Sequence, residues 1–205
     1  TAMCGISVSL LTPGTADAAA ASSDAHLRRR GPDSAGEIVL WPCAGVELRL
    51  SAAVLSLRGA TPTPQPLRDE FGNILLWNGE LFGGEIFDAI AAGASDSAAL
   101  LAALSSTTSV PTVMASLVGP WAFAYWSAAT RTLWYGRDAL GRRSLLRARP
   151  GGDHDGAPLL LSSVAAPLAD ANASWEELPV DGIGCVELLA SGAARHGWRR
   201  RAPAA

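Results

Sequence analysis

The stretch Cys4-Gly5-Ile6-Ser7-Val8-Ser9-Leu10 determines how the rest of the sequence is interpreted. Its apolar residues Ile6, Val8 and Leu10 alternate with serines, which is the period-two pattern of a strand with one buried face. The pattern predicts a strand that starts directly after Cys4, so that a thiol is held at its beginning. By itself such a cysteine is more often a buried, unreactive thiol than a nucleophile.

The segments beyond this strand are mostly short strands. Apolar or alternating runs predict strands at residues 37–41, 46–50, 53–57, 73–77, 121–126, 132–136, 144–148, 158–162, 184–189 and 194–198, and helices at residues 16–29, 96–104 and 112–117. Asn78-Gly79 is a dipeptide typical of hairpin turns, and Arg137 and Asp138 are expected to pair with each other in a tight turn. Strands followed by helices and then by more strands predict the α+β class with antiparallel sheets.

Composition excludes several classes of function. The chain has 205 residues, of which 16 are basic and 19 acidic, and its formal net charge is −3. We therefore expect no nucleic-acid partner. Every basic residue is Arg, which excludes lysine chemistry such as a Schiff base. No run approaches the ~20 apolar residues of a membrane span, so we expect no membrane partner and a cytoplasmic location. The three cysteines, Cys4, Cys43 and Cys185, lack the spacing of a zinc site, and no metal site is expected.

A series of motifs gives the sequence a family resemblance. They are, in order, Cys4-Gly5-Ile6, Arg30-Gly31-Pro32-Asp33, Gln65-Pro66-Leu67, Trp77-Asn78-Gly79-Glu80, Asp96 between two serines, Gly119-Pro120-Trp121, and Gly136-Arg137-Asp138 followed by Gly141-Arg142-Arg143-Ser144-Leu145. In this order they resemble the class II glutamine amidotransferase domain of asparagine synthetases. They are most similar to the N-terminal part of the asparagine synthetase domain-containing protein 1 family.

The resemblance implies a fold and a domain plan. The fold is that of the N-terminal nucleophile hydrolases, a four-layer αββα sandwich in which two mainly antiparallel sheets lie between helices. Residues 4–190 would form one type-2 amidotransferase domain, preceded by three extra residues. Residues 191–205 would be the final strand and the start of a linker to a synthetase-like domain of the same chain.

The resemblance also implies a reaction. Cys4 would attack the side-chain amide carbon of glutamine, with its own α-amine as the base. The Asn78 side chain and the Gly79 N–H would stabilise the oxyanion, and Glu80 and Asp96 would bind the substrate's α-ammonium group. The domain itself would need no cofactor; ATP and Mg would belong to the synthetase-like domain.

Two features depart from the family pattern. The arginine that binds the glutamine carboxylate would fall at Val54 by ungapped counting from Gln65, whereas the nearest arginine is Arg58. That shift of four residues is ~13 Å along a strand, and we assign the carboxylate to Arg58. In addition, Thr1, Ala2 and Met3 precede Cys4, so its nitrogen is an amide that cannot accept a proton until they are removed.

Three interpretations remain open at this stage. The leading one is a glutaminase domain that supplies ammonia to an asparagine synthetase-like domain. The second is a catalytically degenerate domain that serves as a binding or regulatory module, which the shifted arginine and the blocked amine favour. The third is an ammonia donor for amino-sugar or purine synthesis, which Trp77 and Gly119-Pro120-Trp121 disfavour. For Asp96, a role as helix cap or first-turn acid is an equally good explanation.

Overall fold

The structure is a computed structural model that describes residues 4–12, 24–55, 62–90, 95–150 and 156–201. Four helices and twelve strands lie in these ranges. The helices are Asp24–Arg28 (α1), Glu85–Ile90 (α2), Asp96–Ser106 (α3) and Val110–Ser116 (α4), and the strands are Gly5–Leu11 (β1), Ser34–Cys43 (β2), Val46–Val54 (β3), Leu67–Arg68 (β4), Ile74–Gly79 (β5), Trp121–Ser127 (β6), Thr132–Arg137 (β7), Leu146–Ala148 (β8), Leu159–Ser162 (β9), Glu176–Glu177 (β10), Gly182–Leu188 (β11) and Ala194–Arg200 (β12).

The strands form two antiparallel sheets of six strands each. The first has the order β10-β8-β9-β1-β3-β2 and the second the order β12-β11-β7-β6-β5-β4. The strand β1, predicted from the alternation after Cys4, lies inside the first sheet between β3 and β9. The prediction of an α+β protein with antiparallel sheets is confirmed.

The main core lies between the two sheets. Ile6, Val8 and Leu10 of β1 belong to the same buried cluster as Ile74 and Leu76 of β5, and all five are at most 2% exposed. Strand residues of like parity share a face, so the apolar face predicted for β1 is the one that covers the second sheet.

Helices cover the outer faces of both sheets. α1 contacts β1 and β3 of the first sheet. On the second sheet, Leu75, Trp77 and Phe123 form a buried cluster with residues of α3 and α4 such as Leu100 and Met114. The helices α3 and α4 begin at the serine caps Ser95 and Ser109. The four-layer arrangement of helix, sheet, sheet and helix is therefore confirmed.

Several boundaries differ from the predictions. Residues 46–50 and 53–57 were predicted as two strands, but Val46–Val54 is one strand because β1 and β2 both pair with it through Ser51. The six-residue helix α2 and the two-residue strands β4 and β10 were not predicted. Only residues 24–28 of the predicted helix 16–29 are helical within the described ranges. None of the described helices is both long and apolar enough to cross a bilayer.

Candidate active site

Cys4 lies directly before β1, and its thiol contacts the end of β3. The Cys4 Sγ atom accepts a hydrogen bond from the Leu55 N–H at 3.3 Å and is 3.5 Å from the Leu55 carbonyl oxygen, which can accept the S–H. Strand alternation gives Cys4 the same direction as Ile6, towards the layer between the sheets. Cys4 is half-buried.

Arg30 and Ser163 fix the backbone around Cys4. The Arg30 Nε–H donates to the Cys4 carbonyl at 3.2 Å, and Nη1 donates to the Ser163 carbonyl at 3.4 Å. Ser163 makes two hydrogen bonds to Ile6: its Oγ accepts from the Ile6 N–H, and its own N–H donates to the Ile6 carbonyl. Gly31 permits this arrangement, because a Cβ there would lie 2.3 Å from the Ala53 backbone.

The surroundings of Cys4 have opposite effects on its acidity. Burial raises the pKa of the Cys4 thiol above its ordinary value of 9.0, although the Leu55 hydrogen bond and the positive charges of Arg143 and Arg30 oppose the rise. The protonated thiol is therefore the main form at neutral pH. A reaction at Cys4 needs a base that takes the proton as the sulfur attacks.

Asn78 and Gly79 are the last two residues of β5, so the predicted hairpin turn at this dipeptide is wrong. Both are paired with β6, Asn78 opposite Ala122 and Gly79 opposite Trp121. On the other side of β5, Gln65 replaces a strand partner, because its side-chain amide bonds both the N–H and the carbonyl of Trp77 at 2.7 and 2.9 Å. These tertiary contacts override the local turn preference.

The Asn78 side chain is buried and holds a donor that makes no hydrogen bond to the described residues. It is only 1% exposed, and its Nδ2 has no hydrogen-bond partner in the described part of the chain. Asn78 has the same parity as Ile74 and Leu76, so it faces the inter-sheet layer towards which Cys4 also points. A buried amide N–H without a partner costs free energy, and the cost is removed if a ligand oxygen accepts a hydrogen bond from it.

The hydrogen-bond pairing of β5 with β6 determines the direction of the Gly79 N–H. The Glu80 N–H donates to the Pro120 carbonyl at 3.1 Å, so alternate N–H groups of β5 point to β6 and the Gly79 N–H points to the opposite side. A side chain at residue 79 has no room, because a Cβ would lie 2.7 Å from Trp77 Cζ2 and 2.9 Å from Trp121 Cβ. The structure thus requires glycine here for close packing.

Glu80 and Asp96, the two predicted acceptors of an ammonium group, converge on the segment after β5. A Glu80 carboxylate oxygen lies 3.2 Å from Arg143 Nη2, and an Asp96 oxygen accepts the Leu81 N–H at 2.8 Å. Asp96 is the first residue of α3, and the cap of that helix is Ser95 rather than Asp96. Arg58, the predicted carboxylate-binding residue, lies outside the described residues.

Asp138 holds the turn beside the site, and the predicted pairing of Arg137 with Asp138 is wrong. Arg137 pairs instead with Glu177 at 2.8 Å, and Asp138 pairs with Arg142 at 3.0 Å. Burial of the Asp138 carboxyl disfavours its ionised form, but hydrogen bonds from the Trp121 and Leu140 N–H groups and from Arg142 outweigh this and lower its pKa. The local turn could not reveal the partner of Arg137, because Glu177 is 40 residues away.

The sequence reasoning assigned no role to Arg30, Arg143 or Ser163. Arg30 and Arg143 belong to the motifs of the family resemblance, yet the contacts of Arg30 with Cys4, of Arg143 with Glu80 and of Ser163 with Ile6 span 26, 63 and 157 residues. The order of the motifs was the only available signal for these contacts. Among the described residues, no group of three or more His, Cys, Asp or Glu side chains is placed to hold a metal ion.

Comparison with known proteins gives consistent matches. A family model described as "Glutamine amidotransferase domain" matches residues 3–189. The chain is 36% identical over 163 residues to asparagine synthetase domain-containing protein 1 of Bos taurus, 35% over 170 residues to that of Mus musculus and 40% over 167 residues to that of Gallus gallus. These alignments cover 80–83% of this chain but only 25–26% of the relatives, so the chain spans about a quarter of their length.

Solved structures show the same fold at low sequence identity. Glutamine phosphoribosylpyrophosphate amidotransferase of B. subtilis, complexed with ADP and GMP, aligns with a TM-score of 0.65 at 14% identity, covering 96% of this chain and 49% of that one. A structure of the allosteric regulatory enzyme of purine biosynthesis aligns with a TM-score of 0.66 at 15% identity, with the same coverage.

Proposed function

Because the chain belongs to the glutamine amidotransferase domain family, we propose that it hydrolyses the side-chain amide of glutamine at Cys4 and releases ammonia. The observation that carries the proposal is Asn78, whose buried Nδ2 has no partner in the described ranges and whose strand position faces the same layer as Cys4. Such a donor suits an oxygen that becomes negatively charged during acyl transfer.

The reaction begins with proton transfer from the Cys4 thiol to the α-amine of the same residue, whose unperturbed pKa is about 7.7–8.0. Described histidines do not serve as alternatives, since His26 is exposed on α1 and His196 lies on the far edge strand β12. The sulfur forms a bond to the amide carbon, and the carbonyl electrons move to the oxygen, where Asn78 Nδ2 and the Gly79 N–H stabilise the charge.

Collapse of this intermediate breaks the carbon–nitrogen bond. The proton on the α-amine passes to the leaving nitrogen, ammonia departs, and a glutamyl thioester remains on Cys4. Water then attacks the thioester with the α-amine again acting as the base, which releases glutamate and restores the thiol.

Glu80 and Asp96 would bind the α-ammonium group of glutamine. Since Arg143 already pairs with Glu80, the substrate would exchange one ion pair for another at this residue, which reduces the net gain in binding. Arg58 is proposed to bind the α-carboxylate. Arg58→Ala should raise the KM for glutamine sharply, and an unchanged KM would mean that another residue binds the carboxylate.

The test of hydrolysis compares proteins that begin at Cys4. The wild-type form should release glutamate from glutamine, Cys4→Ala should not, and Cys43→Ala, which alters another half-buried free cysteine, should match wild type. The form that retains Thr1, Ala2 and Met3 should be inactive, because its Cys4 nitrogen is an amide. Equal rates for wild type and Cys4→Ala would refute the enzyme proposal and leave the degenerate binding module.

We also propose that the ammonia is used by an asparagine synthetase-like domain that binds ATP and Mg, which the similarity to longer relatives of that name supports. In a protein containing both domains, Cys4→Ala should abolish asparagine formation from glutamine but preserve it from added ammonium. Loss of both activities, or of neither, would contradict this assignment.

A further inference from the structure

Arg201 follows the last residue of β12, yet its contacts lie across the end of the second sheet. Its N–H donates to the Asp181 carbonyl at 2.7 Å, and its Nη1 donates to the Val180 carbonyl at 2.9 Å, both just before β11. Its Nη2 donates to the carbonyl of Arg137, the last residue of β7. The guanidinium thus ties the end of β7 to the segment before β11, and the backbone of Arg201 bonds that same segment.

The same guanidinium lies over the first residue of β6. The Arg201 Cζ atom is 5.3 Å from the centroid of the Trp121 ring, within the range of a cation–π interaction. Trp121 is 3% exposed, so the contact is largely shielded from water. The planar guanidinium can stack on the indole while its edges donate to two carbonyl groups, which an ammonium group cannot do.

Trp121 in turn contacts the backbone of Gly79. The two residues are direct partners in the β5–β6 ladder, and a Cβ at residue 79 would lie 2.9 Å from the Trp121 Cβ. Displacement of Trp121 must therefore shift β5, which carries the Gly79 N–H, because the two residues are too closely packed for one to move without the other.

Resting on the proposed function, we infer that Arg201 is a positioning residue for the oxyanion-binding Gly79 N–H and that it acts through Trp121. It does not touch the predicted binding residues Glu80 or Asp96 in the described contacts. Its loss should therefore change kcat more than the KM for glutamine. Complete removal of an oxyanion donor lowers kcat by about 100–1000-fold, so misplacement of one donor is expected to lower it about tenfold.

The experiment uses the full chain processed to begin at Cys4. Arg201→Ala should lower kcat about tenfold with KM changed less than about twofold, whereas Arg201→Lys, which keeps a cation near Trp121, should be intermediate. Arg200→Ala is the matched control, because its side chain is 82% exposed and its nearest carboxylate is 3.8 Å away. It should leave kcat and KM unchanged.

Two further measurements separate positioning from general damage. Alkylation of Cys4 by iodoacetamide forms no oxyanion, so its rate in Arg201→Ala should equal that of the wild type. Labelling by a glutamine-analogue diazoketone should be slower in Arg201→Ala, because the carbonyl group of this reagent needs the oxyanion donors. In a Trp121→Phe background the Arg201→Ala effect should shrink, because the two residues act in series.

The outcomes are distinct. The inference would be overturned by an unchanged kcat in Arg201→Ala, or by effects of Arg201→Ala and Trp121→Phe on kcat that simply multiply. It would also be overturned if Arg201→Ala lost alkylation rate, diazoketone labelling rate and melting temperature in parallel. If wild type itself released no more glutamate than Cys4→Ala, the proposed function would fail, and the comparison of the two labelling rates would still decide whether Arg201 positions Gly79.

Discussion

Asn78→Ala should separate activity from stability. The substitution removes one of two proposed oxyanion donors, so kcat for glutamine hydrolysis should fall about 100–1000-fold, equivalent to about 3–4 kcal/mol of transition-state stabilisation. Stability should change little. Truncation leaves a cavity, but it also removes a buried Nδ2 that has no partner among the described residues and costs about 1–3 kcal/mol in the folded protein. The two effects offset to within about 1 kcal/mol.

Asn73 is the matched control, because it is the same residue type, is 6% exposed and directly precedes β5. Its side chain is fully engaged: Nδ2 donates to Asp69 at 2.8 Å and to Ser105 at 3.3 Å, and Oδ1 accepts from the Ala128 N–H at 3.0 Å. At about 1 kcal/mol for each of these hydrogen bonds, Asn73→Ala should lower the free energy of unfolding by about 3 kcal/mol. Its kcat should remain that of the wild type.

The two variants are compared by steady-state glutamate release and by urea unfolding in proteins that begin at Cys4. Each variant should lose only one of the two properties, activity in Asn78→Ala and stability in Asn73→Ala. A loss of about 3 kcal/mol of stability in Asn78→Ala would show that its amide is bonded in the resting protein. Retention of full activity in Asn78→Ala would show that the amide is no oxyanion donor.

Three further predictions concern neighbouring residues. Gly79→Ala should lower both the melting temperature and kcat, since the new methyl group would lie under 3 Å from Trp77 and Trp121; wild-type values for both would contradict the packing argument. Glu80→Gln should raise the KM for glutamine with a smaller effect on kcat, as steady-state kinetics would show, and an unchanged KM would remove Glu80 from substrate binding. Asp138→Asn should lower the free energy of unfolding at pH 7 by about 2–3 kcal/mol. Folding lowers the pKa of Asp138 below 3.8, so this stabilisation is complete above pH 3.8 and disappears as the pH falls through the lowered value. Urea titrations in acid should therefore show the difference in free energy of unfolding between wild type and Asp138→Asn becoming smaller. A difference independent of pH would refute the prediction.

The strands were largely predictable because most of them carry a local pattern. The alternation in β1 survives in the structure because one face covers the second sheet and the other lies under α1. Prediction was wrong where tertiary pairing overrides local preference. Asn78-Gly79 would be a good turn in isolation, but β6 on one side and Gln65 on the other keep it extended.

The site was predictable only through the order of its motifs. Nothing in the local sequence indicates that Asn78 Nδ2 has no partner among the described residues, that Glu80 pairs with Arg143, or that Arg137 pairs with Glu177 rather than with its neighbour Asp138. Each of these facts depends on which strands face one another, which is a property of the whole sheet rather than of a segment. Composition and periodicity cannot supply it.

The frame of the site explains how a buried donor without a partner among the described residues persists beside Cys4. Burial raises the pKa of Cys4, and Asn78 holds a donor with no partner in the described residues. The two strands that carry these groups are held in place, because Gln65 bonds both polar groups of Trp77 on one strand and Ser163 makes two hydrogen bonds to the strand that follows Cys4. Such contacts keep the Asn78 amide from moving to a partner elsewhere. Activity and stability are therefore separable at Asn78 but not at Gln65, whose loss would free the strand that presents the oxyanion donors.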